Sequence, residues 1–268
     1  MRRTRRPAPQ TRRNPGGVQG SGDRGVPSKC TRGCNMSKSM TVISKGLSQE
    51  RFGAYRRATC GNAAALALYE WNNAISAALW ADIAHLEILV RNAMHEQLTA
   101  WSSRTCGEPR WYLDPNRVLT PNRLADVAAA RQRATTGRRG KPETSGRVVT
   151  ELSFGFWRYL VSSHYDRTLW KPILSRSFPL QPRRKAVHTG LAHLHELRNR
   201  IAHHEPIHAE RLEQRHEELL TLLEWINPHY RTWVKRQSTV TSQLVARPAV
   251  SAEPEPTTTA PKRPRSDR

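Results

Sequence analysis

From Asn62 to Cys106 the chain runs for 45 residues without a proline or a glycine. Within that run Leu68, Ile75, Leu79, Ile83, Leu86, Val90, Met94 and Leu98 recur at spacings of 7, 4, 4, 3, 4, 4 and 4. Such spacing puts the apolar side chains on one side of a 3.6-residue helix. Forty-five residues is long for a single globular helix, so a break is expected near Trp80 to Asp82, giving two consecutive helices. Similar stripes follow at Val149, Leu152, Phe156 and Tyr159, then at Val187, Leu191, Leu194, Leu197 and Ile201, and then at Leu212, Leu219, Leu222 and Ile226. Strand signals are nearly lacking, since no stretch sustains an apolar/polar alternation between hairpin turns. The predicted fold class is all-α, a helical bundle. The polar, turn-rich stretch from Arg131 to Gly146 is expected to be an exposed loop.

Charge narrows the function classes. The chain carries 44 Lys+Arg against 22 Asp+Glu, a formal net charge of +22, which points to a polyanionic partner such as nucleic acid. Residues 1–40 are basic and rich in Pro, Gly, Ser and Thr, and predict a disordered basic arm; residues 41–238 form the expected helical domain; residues 239–268 predict a disordered tail. A translation start at Met36 would remove nine basic residues and Asp23, leaving net +14, so the basic balance does not depend on the arm. Glu70, Asp82, Glu87 and Arg91 interrupt the long apolar run and argue against a membrane span. The early arginines are followed by Pro, Gln and Gly in place of an apolar segment, so no secretory signal is expected and the location predicted is cytoplasmic.

Four cysteines, Cys30, Cys34, Cys60 and Cys106, are too few and too scattered for a disulfide scaffold, and Cys30 with Cys34 lacks the second pair that would complete a zinc site. His193 and His195 diverge by about 200° around a helix and His203 and His204 by about 100°, so neither pair chelates. No metal and no cofactor are expected. Trp71, Trp157 and Trp225 sit in helical stripes and are better explained by core packing than by base stacking.

Six of the eleven histidines nevertheless fall between His188 and His208. At their centre lies Glu196-Leu197-Arg198-Asn199-Arg200-Ile201-Ala202-His203-His204-Glu205-Pro206. Pro206 is expected to end the helix at about Glu205, leaving His203 and His204 in the last turn, where the helix dipole favours protonated imidazole. Arg198 falls inside the apolar stripe and needs a partner. Asn199 and His203, four apart, share a face, so the amide can orient the ring. Arg198 and His203 are about 140° apart and point at one small site only at a helix edge or between two chains, which hints at a dimer.

The phrase Arg-Asn-x-x-x-His at 198–203, followed by His-Glu-Pro, resembles the RxxxxH motif of HEPN domains in the form found in bacterial Abi-like (abortive-infection) proteins. RFGAYRR at 51–57, ALALYEWN at 65–72, LEILVRNAMHEQL at 86–98 and ELSFGFWRYL at 151–160 resemble that family's landmarks, and together the likeness covers roughly residues 47–235. It implies a HEPN-like bundle with additional helices, a homodimer, and a metal-independent RNA endonuclease acting as a toxin or phage-defence effector. It assigns Arg198, Asn199 and His203 to the catalytic positions. On those terms RNA cleavage needs a proton acceptor, a proton donor and a cation on the phosphate, which two Arg198 and two His203 would supply. Arg200 and His204 are weaker candidates for substrate contact. Glu87, Arg91 and His95, spaced by four, form one polar line that is either a second wall of the cleft or an intrahelical ion-pair row. The rival function is a non-catalytic RNA-binding or regulatory helical protein, and an antitoxin or regulatory partner is a third element to be expected.

Overall fold

The computed structural model describes residues 38–136, 140 and 142–249; the Arg-rich arm with Cys30 and Cys34, and the tail beyond residue 249, lie outside the described residues. Two short helices, α1 (Lys38–Gly46) and α2 (Gln49–Arg57), lead into α3, which runs from Asn62 to Cys106 in one piece. The break expected near Trp80 to Asp82 does not occur. Asp82 is buried, and its carboxylate accepts a hydrogen bond from Ser238 Oγ at 2.5 Å and pairs with His216 Nε2 at 3.2 Å. The group that seemed to demand solvent is satisfied by other helices, and with no Pro or Gly inside nothing kinks the backbone.

After α3 come α4 (Pro121–Thr135), α5 (Ser145–Glu151), α6 (Phe154–Leu160), α7 (Arg184–Ala202), α8 (Leu212–Ile226), α9 (Pro228–Gln237) and α10 (Val240–Val245). Among the described residues there is no strand, and the fold is all-α. The stripe from Val149 to Tyr159 is cut into α5 and α6 by Ser153, whose hydroxyl accepts from Phe156 N–H at 3.3 Å as an N-cap. Between α6 and α7 the chain forms short irregular turns that still bury Tyr165, Leu169, Trp170, Leu174 and Phe178.

Helix α3 packs against α2, α6, α7, α8 and α10 and buries one long stripe, from Leu68 and Ile75 to Val90 and Leu98. It contains an 18-residue window apolar enough by length and composition to cross a bilayer, 39% of it buried in the bundle. The charges along it therefore do not by themselves exclude a span. Helices α7 and α8 approach closely at Gly190, where an added Cβ would stand 3.1 Å from Leu222 Cδ1. The folded part also continues past residue 238: Val240 of α10 is fully buried, and Trp71 Nε1 donates to the Gln243 carbonyl at 2.6 Å. The signal missed in a polar, proline-bearing segment is this pair of long-range contacts.

Breaking the Asp82 cluster strands a buried imidazole and hydroxyl. Asp82→Ala should lower unfolding free energy by about 3 kcal/mol, whereas Asp82→Leu combined with His216→Leu should cost less. Urea denaturation of the two variants checks the order.

Candidate functional site

Helix α7 stops at Ala202, three residues before the expected end. His203 is its C-cap, His204 N–H bonds the Ile201 carbonyl at 3.0 Å, and Glu205 N–H bonds the Arg200 carbonyl at 2.8 Å. This pair of bonds is the closing pattern usually built on a left-handed glycine, yet the left-handed position is held by His204, at φ 55°. Arg200 explains why the chain turns there. Its guanidinium bonds Glu210, donates to the Pro206 carbonyl at 2.7 Å and lies 3.5 Å from Glu205, tying down the loop after the helix. Two of its nitrogens are committed to the loop, while its buried Nε makes no hydrogen bond.

The early stop changes which histidine meets the motif. His203 is exposed at the helix end, and the expected pairing with Asn199 is not formed. Asn199 Nδ2 instead lies 3.5 Å from Nε2 of His195, one turn back along α7. His195 is clamped: the Phe154 ring meets it edge-on at 5.8 Å, and a Cβ on Gly155 would stand 3.1 Å from its Nε2. Burial pushes its pKa down, and the positive charges of Arg158 and Arg198 push further the same way. The imidazole is thus held towards its neutral form, with both guanidiniums within electrostatic reach.

Both guanidiniums lack an acid. The Nε atoms of Arg158 and Arg198 are buried and have no hydrogen-bond partner, and among the described residues no carboxylate forms an ion pair with either side chain. Arg198 lies with Cζ 5.1 Å from the Trp80 ring. Glu87 is the acid within electrostatic reach; its pKa is raised because burial outweighs the attraction of Arg198 and then of Arg91. Glu87 and Arg91 thus stand on the Arg198 side of α3. His95 does not join them: its Nδ1 accepts from Trp111 Nε1 at 2.8 Å, and the ring is part of the packing around that tryptophan.

Towards the N-terminus of α3 the same groove opens into a cleft of about 640 Å³. Tyr69, Asn73 and Trp80 of α3 line one side, and Ala202, His204 and Glu205 the other. Tyr69, Asn73, Ser76, Trp80, Glu87 and Arg91 share one helical stripe, the complement of the apolar one. Only Glu87 and Arg91 of this stripe are legible from residue spacing. His195, Arg158 and the upper stripe were missed because residue spacing does not reveal which helices face each other. Two other histidines of the cluster have packing partners: His193 Nδ1 sits 3.1 Å from Glu218 Oε2, and the His208 ring lies 5.2 Å from Tyr55.

Three outcomes follow. His204→Gly should raise stability by about 0.5–1 kcal/mol, since glycine takes the left-handed conformation without a Cβ penalty; chemical denaturation measures it. Arg158→Gln should raise the titration midpoint of His195, read by NMR, because it removes a positive neighbour. His95, His195 and His208 all have lowered pKa values in the fold. The unfolded chain takes up their protons first, so stability should decline as pH falls below roughly 6.5.

The chain matches no protein-family model, no curated protein and no solved structure.

Proposed function

We propose that this chain is a metal-independent endoribonuclease of the Abi-like HEPN type, acting in the cytoplasm as a toxin or phage-defence effector on cellular or phage RNA. The observation that carries the reading is Arg198: half-buried, without an ion pair, its buried Nε lacking an acceptor, beside Arg158 and His195. What this arrangement lacks is an anion with several acceptor oxygens, and a phosphodiester is one. RNA brings its own nucleophile, the 2′-hydroxyl, so the protein has only to supply a base, an acid and positive charge at the phosphate. Arg198 and Arg158 hold the phosphate oxygens, and Asn199 orients the site. His203 supplies the proton chemistry from the helix end. Because it does not face its own chain's Arg198, the reading requires a homodimer in which two α7 ends are juxtaposed.

The second reading, a non-catalytic RNA-binding or regulatory protein of the same fold, draws on the exposure of His203 away from the Arg198 cluster. An acidic antitoxin or regulatory partner fits either reading through the +22 charge.

Wild type, Arg198→Ala and His203→Ala are incubated with total RNA in EDTA. The nuclease reading expects cleavage by wild type and a loss of at least about 100-fold in each variant. Mixed Arg198→Ala and His203→Ala chains should regain part of the activity in heterodimers. Binding without cleavage by the wild type sinks the nuclease reading in favour of the second.

A further inference from the structure

We propose that the cleft between α3 and α7 is a subsite for one unpaired nucleobase of single-stranded RNA, stacked on Trp80 next to the phosphate at Arg198, with the Asn73 amide at the base edge. The proposal rests on the RNA reading above and adds a determinant of which nucleotide sits there.

Trp80 is the starting point. It is 41% exposed although Leu79 and Ile83 beside it on α3 are essentially fully buried. The Arg198 guanidinium lies 5.1 Å from its ring, and Trp80 lines the cleft. A large aromatic surface left open beside a cation that forms no ion pair suits a ligand that is flat and apolar at one end and anionic at the other. A nucleotide has that form, and aromatic stacking with nearby Arg is how single strands are commonly held.

The polar lining narrows the occupant further. Asn72 is occupied, its Oδ1 accepting from Ile207 N–H at 2.8 Å, and the Ser76 hydroxyl donates to the Asn72 carbonyl at 2.6 Å. Glu205 has its charge offset by Arg200 at 3.5 Å. Asn73 is exposed at the cleft, and no hydrogen bond to its side chain is formed among the described residues. A side-chain amide offers one donor and one acceptor side by side, the pattern that pairs with a base edge. A volume of about 640 Å³ lies in the range of small-ligand pockets. The net charge of +22 favours a polyanionic occupant.

The test uses fluorescently labelled 2′-fluoro oligonucleotides, which keep the bases and phosphates but lack the attacking hydroxyl. Trp80→Ala should weaken binding about tenfold, as expected for the loss of one stacked base. Trp80→Phe should retain most of the affinity. Asn73→Ala should alter the ratio of affinities among the four homopolymers. Trp233→Ala removes another exposed tryptophan, 40% exposed on α9, and should leave binding unchanged. Circular dichroism and thermal unfolding confirm that each variant is folded. Wild-type binding that depends on Trp80, without cleavage of ordinary RNA, overturns the nuclease reading and leaves the subsite standing. Cleavage by wild type with unchanged affinity and base preference in both Trp80→Ala and Asn73→Ala overturns the subsite. So does a Trp80→Ala variant that dissociates a dimer while binding the oligonucleotides as wild type does, since the cleft is then a self-association face. Absence of any wild-type binding overturns the proposal too.

Discussion

Over 45 residues the buried stripe of α3 winds partway around the helix, and the need to cover it organises the molecule. From Ile75 to Leu98 the buried side chains recur at slightly more than 3.6 residues, so the face they present turns along the rod and different helices cover different stretches. Helices α2, α6, α7, α8 and α10 do so from different directions. The buried Asp82 fixes the register of this enclosure. An apolar contact tolerates sliding, but a carboxylate that must meet both Ser238 and His216 does not. One acid at mid-helix therefore aligns α3 with α8 and with the turn between α9 and α10.

The site inherits its geometry from that enclosure. Along α3 from Tyr69 to Trp80, the facing residues run back along α7 from Glu205 to Arg198, so the two helices are antiparallel at the cleft. This direction puts the exposed end of α7, with His203 and His204, beside the opening, and puts Arg198 deeper, between Trp80 and His195. Gly155 matters for the same reason. It lets α6 come close enough for Arg158 to act electrostatically on His195.

Much of the fold was legible because it depends on periodicity. The stripes from Val187 to Ile201 and from Leu212 to Ile226 coincide with α7 and α8. The continuity of α3 was not legible, because whether a mid-helix acid faces water or a buried partner is decided by residues 156 positions away. The site was legible only in part. Arg198 stood out as a charge in an apolar stripe, and Glu87 and Arg91 as a polar line. Spacing also suggested that Asn199 orients His203, whereas the helix ends too soon and Asn199 reaches His195. Pro206 marked a helix end correctly in kind and wrongly in position, since Arg200 pulls the turn three residues forward by binding Glu210 and the Pro206 carbonyl.

Holding Arg158 and Arg198 near a neutral imidazole without a bonded acid works against stability. Each guanidinium loses water when it is partly buried, and neither recovers it through an ion pair. The left-handed His204 adds local backbone strain at the same place. A bonded acid at either arginine would relieve the first cost and a glycine at 204 the second. Two half-buried guanidiniums without an ion pair, next to an open cleft, are the physical reason to look for an anionic ligand here and not on the basic surface at large. The extensive core around α3 is what allows the fold to tolerate them.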